Sequence, residues 1–291
     1  MEMHDRILNA MVDVAEEAGE VLFKYFCDGM NQAGLSTKED GQLVTDADRE
    51  SNALILSRLT GSFPEIPVLT EEGIDDLKRL RSHSLFVVDP LDGTNNFIAG
   101  ENDFAVSIAY TEGDAAQHRP LIGVVYRPVS GELFIAQKGN GAKLIREKRE
   151  FKLTVSKQAD WFNARLVCSA WRKDALTARL KSLSPSTLGQ GSAALMVCKV
   201  AMGEAEWYGH VAPRHLSEYD IAAADLILSE AGGKLTDALG NLVRYNRPGT
   251  ALARGIVASN GFLHHDVVQA VSAILVSGVG LSAAEKIREA A

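Results

Sequence analysis

Apolar residues open the chain at Ile7, Leu8, Met11, Val14, Ala15, Ala18, Val21, Leu22 and Tyr25, three and four positions apart, with Asp13, Glu16, Glu17 and Glu20 between them. That period predicts an amphipathic helix whose acids face solvent. From Gly29 to Gly41 the pattern dissolves into a polar loop. It resumes at Leu54, Ile55, Leu56 and Leu59 behind Thr45-Asp46-Ala47-Asp48, where Thr45 and Asp48 stand at capping-box spacing with Asp in place of Glu. Two short apolar runs, Val68-Leu69-Thr70 and Leu85-Phe86-Val87-Val88, predict buried strands. The first is followed by Glu71-Glu72-Gly73, and the second is expected to end as Asp89-Pro90-Leu91-Asp92-Gly93 begins. Residues 75–79 between them read as an exposed loop or short helix.

Residues 104–110, 121–126 and 132–137 are β-rich runs separated by Gly and Pro turns, an antiparallel meander, and the charge run 146–150 reads as a solvated connection. A domain boundary is placed near residue 150, between an N-terminal α+β domain (1–150) and a C-terminal α/β domain (151–291). In the second, the pattern predicts strands at 165–169 and 255–259 and helices at 175–183, from Gly191 onward with Ser192 as cap, from Asp220 to a Gly232-Gly233 stop, and at 262–275. Residues 281–291 form a tail of no clear pattern. His264-His265 is placed on a helix surface. Such alternation of helices with both short and buried strands indicates a mixed α/β or α+β fold.

Composition narrows the function. The 291 residues are 46% hydrophobic and 23% charged, which suits a globular core, and the net charge of -8 argues against a nucleic-acid polymer as partner. Cys27, Cys168 and Cys198 lack ligand or disulfide spacing and read as small buried hydrophobes in a reducing compartment. The start lacks a basic n-region, and the most apolar late segment, 267–281, is interrupted and shorter than the ~20 residues that span a bilayer. The expectation is a cytoplasmic protein without a membrane partner. There is no Gly-x-Gly-x-x-Gly after a strand, no Walker lysine, no Gly-x-Ser-x-Gly elbow and no zinc-like histidine spacing.

What remains is carboxylate chemistry. Pro90 and Gly93 allow Asp89 and Asp92 to be turned toward one point. Two negative charges at one point need a cation, and hard oxygen ligands suit a magnesium-type ion. Glu71 ends a separate strand nearby, whereas Asp48 and Asp220, each near a helix start, are equally well explained as caps.

In this order the residues resemble the inositol monophosphatase superfamily of magnesium-dependent phosphatases. The resemblance rests on Asp89-Pro90-Leu91-Asp92-Gly93-Thr94, with Val44-Thr45-Asp46-Ala47-Asp48, Glu71-Glu72, Gly191-Ser192-Ala193-Ala194 and the run from Asp220 to Gly233. It implies a layered α/β/α/β/α sandwich, one half mostly antiparallel. It implies metal ligation by Glu71, Asp89, Asp92, Asp220 and the Leu91 carbonyl, with Asp48 beside a third metal and Thr94 with Glu71 orienting the attacking water. It implies two or three Mg2+ ions, inhibition by lithium, and a homodimer as a common assembly. Backbone N–H groups of Gly93 and Thr94, at the start of a helix beyond Asn95, would seat phosphate; Ser192 and Arg214 are the further candidate substrate contacts. The reaction so implied is hydrolysis of a small-molecule phosphate ester by metal-activated water. The Thr70-Glu71-Glu72 and Tyr219-Asp220 surroundings look like bacterial 3'(2'),5'-bisphosphate nucleotidases, which gives the leading substrate. Inositol-1-monophosphatase is the alternative, and a non-catalytic, metal-stabilised regulatory protein the second alternative.

Overall fold

The computed structural model describes residues 2–39, 41–114, 117–169, 174–211 and 216–278, so the expected tail at 281–291 lies outside the described residues. The opening amphipathic segment forms α1 (Glu2–Cys27), followed by a small hairpin of β1 (Ser36–Thr37) and β2 (Leu43–Val44) and by α2 (Asp46–Ser62). Thr45 closes the expected capping box with Asp48 at the start of α2. Both helices cover one face of a seven-stranded sheet. Its strands run in chain order: β3 (Val68–Thr70), β4 (Ser84–Asp92), β5 (Ala105–Glu112), β6 (Arg119–Arg127), β7 (Glu132–Gln137), β8 (Ala142–Arg146) and β9 (Arg149–Lys152). Only β3 and β4 pair in parallel; the expected three-strand meander, β5 to β7, is extended by β4 and β3 on one side and by the β8-β9 hairpin on the other.

The charge run at 146–150 is not a loose connection but the turn of that last hairpin. Arg146 pairs with Arg149, and Glu147 and Lys148 both adopt positive φ, as two-residue hairpin turns require. The 75–81 segment also differs from a solvated loop. Arg79 in its 3-10 turn is buried, held by Asp75 at 2.7 Å and by Asn246 at 2.8 Å. Short α3 (Thr94–Ile98) follows β4 and begins at Thr94, earlier than the start beyond Asn95 that the sequence suggests.

Beyond β9 the chain builds β10 (Arg165–Ser169), α4 (Ala175–Ser182), β11 (Ser186–Gln190), α5 (Ala193–Ala201), β12 (Trp207–His210), α6 (Glu218–Glu230), β13 (Lys234–Asp237), β14 (Ile256–Ser259) and α7 (His264–Gly278). The five strands form one mixed sheet in the order β11-β10-β12-β14-β13. Helices α5 and α6 lie between the two sheets, and α4 and α7 cover the outer face of the second. The layers are therefore α/β/α/β/α, with one hydrophobic core under each outer helix pair and a third that runs through the central helices to both sheets.

Strand parity explains the layering. In β4, Phe86 and Val88 enter the core under α1 and α2, whereas Leu85 and Val87 enter the central core. Both faces are apolar because both are covered. At Gly123 of β6 the helix α6 comes so close that a Cβ would stand 2.5 Å from the Ala223 carbonyl oxygen. A glycine there is a condition of the contact.

Two side chains depart from expectation. His264 is buried, its ring nitrogens at 3.0 Å from Thr236 Oγ1 and 2.9 Å from Ser259 Oγ, so only His265 is on the surface. Burial pushes the His264 imidazole down to about 4. Cys168 and Cys198 are buried but Cys27, at the end of α1, is exposed.

Candidate metal centre

The acids converge because of where β3, β4 and α6 end and begin. Asp89 has the parity of Leu85 and Val87, so it faces the central layer. Simple alternation would send Asp92 to the opposite face. It does not, because β4 does not end at Val88: it continues to Asp92 through an irregularity in which Asp89 pairs with Ser107 and Asp92 with Ala105. Three steps on β4 match two on β5, and the extra residue restores Asp92 to the face of Asp89. Glu71 follows the central-facing Leu69 by two positions, and its N–H donates to the Val88 carbonyl oxygen at 3.2 Å, which sets it beside Asp89.

Asp220 arrives from the far half at the first turn of α6, where Ser217 and Asp220 form a second capping box. Oxygens of Asp89, Asp92 and Asp220 all lie within 4.8 Å of one another. At that spacing, with an effective dielectric near 20, each ionised pair repels by roughly 3 kcal/mol. Asp89 is 1% exposed and Asp92 6%. Burial first, then Glu71, Asp92 and Asp220, holds the Asp89 carboxyl well above the usual carboxylate range. Asp220 is raised by burial and by Asp92 and Glu71, and Asp92 is pushed up to about 6 by burial against its hydrogen bonds.

This donor set fits a divalent cation. Asp89 Oδ1 accepts from the Leu91 N–H at 3.0 Å, yet its buried Oδ2 has no hydrogen-bond partner. A buried unpaired carboxylate oxygen is costly unless something of opposite charge meets it. Three hard oxygen donors at one point suit an ion of the magnesium or manganese type.

The remaining expected residues surround this centre. Asp48 is buried, with Oδ2 accepting from Thr45 N at 2.8 Å and Thr45 Oγ1 at 2.5 Å. Its Oδ1 lies 3.2 Å from Thr94 Oγ1, and the same hydroxyl is 3.1 Å from the Leu91 carbonyl oxygen. Burial pushes Asp48 up to about 6. Gly93 turns the chain between β4 and α3 at φ 98°, a left-handed value, and a Cβ there would meet the Asp103 carbonyl oxygen at 2.7 Å. Ser192 is fully buried at the N-cap of α5, and its hydroxyl donates to Asp92 Oδ2. Arg214 lies outside the described residues.

A cleft of about 360 Å3 opens over the carboxylates. Gly93, Thr94, Asn95 and Asn96 line it, as do the apolar Leu43, Met196 and Leu216 and the aromatic Tyr208. Lys38 pairs with the lining residue Glu71 and its neighbour: its Nζ is 2.8 Å from Glu71 Oε1 and 2.5 Å from Glu72 Oε1. In the sequence Lys38 reads only as part of the Lys38-Glu39-Asp40 run that looks like bacterial bisphosphate nucleotidases, not as a partner of Glu71, and the apolar lining residues are absent from that reading. Lys38 lies in a run that reads as loop charge, and Tyr208 is on a four-residue strand, β12, too short and too close to a glycine to stand out.

A model of the inositol monophosphatase family matches residues 3–275. The chain is similar to Nus factor SuhB of Pasteurella multocida, with 33% identity over 239 residues, 79% of this chain and 85% of that protein. It is similar to the 3'(2'),5'-bisphosphate nucleotidase CysQ of Aggregatibacter actinomycetemcomitans, with 30% identity over 245 residues, 83% of this chain and 88% of that one. Among solved structures, an IMPase of Thermotoga maritima matches with a TM-score of 0.75 at 25% identity, over 95% of this chain and 99% of that chain.

Proposed function

The chain belongs to the inositol monophosphatase family, and from that premise we propose that it is a magnesium-dependent phosphatase acting on a small phosphate monoester. The observation that carries this reading is the meeting of Asp89, Asp92 and Asp220 within 4.8 Å at the floor of a cleft. These three, with Glu71, would hold the metal. When bound, the metal supplies Lewis-acid polarisation of the phosphoryl group and neutralises charge on the leaving oxygen.

The chain's own groups account for the rest. Thr94 Oγ1 faces the cleft and can accept a hydrogen bond from a water while donating its own proton to Asp48 Oδ1, 3.2 Å away. A proton leaving that water thus has a path to a buried carboxylate whose affinity is raised to about 6. The turn at Gly93 brings the first N–H groups of α3 to the cleft edge, where they face the phosphate. Attack is direct, with no side chain required as a covalent nucleophile.

For the alcohol part, the leading reading is a nucleoside 3'(2'),5'-bisphosphate. The lining residues Leu43, Met196, Tyr208 and Leu216 suit a base and ribose better than a ring bearing hydroxyls all round. Inositol 1-phosphate is the alternative, favoured by the polar lining residues Asn95, Asn96, Ser169 and His210. Similarity to a protein named as a Nus factor keeps a non-catalytic role as the third reading. We place the protein in the cytoplasm, without nucleic-acid or membrane partners, and as a homodimer. Among the described residues no helix is long and apolar enough to cross a membrane.

The test is phosphate release from adenosine 3',5'-bisphosphate and from inositol 1-phosphate, with Mg2+ and with chelator. Mg2+-dependent release with higher kcat/KM for the bisphosphate is expected. Preference for inositol phosphate would overturn the substrate, and no release from any monoester in a broad panel would overturn the phosphatase reading.

A further inference from the structure

The N-terminus of α5 is occupied by a group of this chain. Asp92 Oδ1 accepts from the Ala193 N–H at 3.1 Å, and Oδ2 accepts from the Ala194 N–H at 2.6 Å and from the Ser192 hydroxyl. The Ser192 oxygen in turn accepts from the Leu195 N–H at 3.0 Å, so it caps the helix and donates to the carboxylate at once. The side chain is 0% exposed. Its one proton is spent on Asp92, which leaves none for a substrate.

Counting acceptor sites sharpens this. A carboxylate oxygen has two lone pairs. Both on Oδ2 are taken, by Ser192 and Ala194, and one on Oδ1 is taken by Ala193. The single remaining lone pair, on Oδ1, is the one available to a cation. Asp89 next to it is the opposite case, with one oxygen wholly unpartnered.

We infer that Ser192 is a positioning residue for the metal: with the α5 N-terminus it fixes Asp92 so that Oδ1 alone is presented as a ligand, and it does not contact substrate. The inference rests on the metal-dependent reading of the site. Helix dipole and hydroxyl both favour the ionised carboxylate, the form a metal needs. Groups that orient a ligand from behind carry tenfold to hundredfold effects on metal affinity.

The test is calorimetric titration of Mn2+ and Mg2+ into wild type, Ser192→Thr, Ser192→Gly and Ser192→Ala, with thermal melting of each. Glycine is nearly as good an N-cap as serine but lacks the donor. Ser192→Gly is therefore expected to melt near wild type yet to raise the metal Kd about tenfold, and Ser192→Thr to restore it. In an Asp92→Asn background the Ser192→Gly change should raise Kd no further. KM for the phosphoester, measured at saturating metal, should stay within about twofold of wild type, since a group that acts behind the ligand changes metal affinity and not substrate binding. Unchanged metal affinity in both Ser192→Gly and Ser192→Ala, or a raised KM at saturating metal with unchanged Kd, would overturn the assignment in favour of a capping or substrate role. Wild type that binds neither metal would overturn the phosphatase reading itself, and this inference with it.

Discussion

Gly123→Ala tests whether the contact between β6 and α6 sets the position of Asp220. The added Cβ would lie 2.5 Å from the Ala223 carbonyl oxygen and 3.1 and 3.2 Å from its C and Cα, against ordinary contact at 3.4 Å or more. All three atoms are backbone, so no rotamer change relieves them, and α6 must retreat by about 0.9 Å or the sheet must buckle. Overpacking of this kind costs about 2 kcal/mol. For a chain of this length that is a fall of roughly 3 °C in melting temperature. Ala223 is one turn beyond Asp220, so the retreat also carries a ligand away from Asp89 and Asp92. A displacement near 1 Å in a catalytic group costs on the order of 100-fold in rate. Differential scanning fluorimetry and kcat/KM at a fixed free Mg2+ concentration read the two effects. Gly61→Ala in α2 is the control: nothing lies within 4 Å of its Cβ, so it should gain about 0.5–1 kcal/mol from helix propensity and leave activity unchanged. Gly123→Ala melting within about 1 °C of wild type with undiminished kcat/KM would refute the argument that this glycine sets the spacing.

Three further outcomes are expected. Asp89→Asn should lower kcat by about 1000-fold, since several kcal/mol of charge stabilisation are lost; it should also raise the melting temperature of metal-free protein, because it removes one of three carboxyl groups crowded within 4.8 Å, a group that folding forces to take up a proton. An unchanged melting point together with full activity would count against the cluster. Thr94→Val should reduce kcat by about 100-fold or more with the metal Kd little altered, while Thr94→Ser keeps most activity, because the hydroxyl bonded to Asp48 is the working group; equal rates for Val and Ser would dismiss it. His264 holds its proton less tightly folded, at about 4, than unfolded, at about 6.5. Its stabilising effect is therefore complete above pH 6.5 and is lost as pH falls toward 4, a change of about 2 kcal/mol after allowance for solvent screening. Melting curves from pH 4 to 7 should fall more steeply for wild type than for His264→Gln, and parallel curves would contradict the assignment.

The mixed α/β character was legible because helices and strands follow ordinary periods, the layered arrangement was legible only through the family resemblance, and the Asp89 to Thr94 motif announced its chemistry. What could not be read was anything set by a partner distant in sequence. Asp92 shares a face with Asp89 only through a register shift against β5, which no pattern within β4 encodes. His264 looks like a surface residue until Thr236 and Ser259 supply hydroxyls from two strands of the sheet that α7 covers. Ser192 was legible as a cap but not as a donor to an aspartate 100 positions earlier. Arg79 read as exposed because Asn246, which buries it, lies far down the chain.

The order of the layers also has a consequence in time. The seven-stranded sheet is complete in sequence at Lys152, but α6, which covers its inner face, begins at Glu218, about 65 residues later. At ordinary synthesis rates that is roughly 3–13 seconds. Through this interval Leu85, Val87, Ala109, Val125 and Phe134 wait on a finished sheet with only α5, from Ala193 onward, to meet part of that face. Chains released before Glu218 are accordingly expected to sediment as aggregates in a solubility assay, and centrifugation of a product ending near residue 152 checks this. The face that gives the protein its central layer is, for a nascent chain, its most hazardous surface.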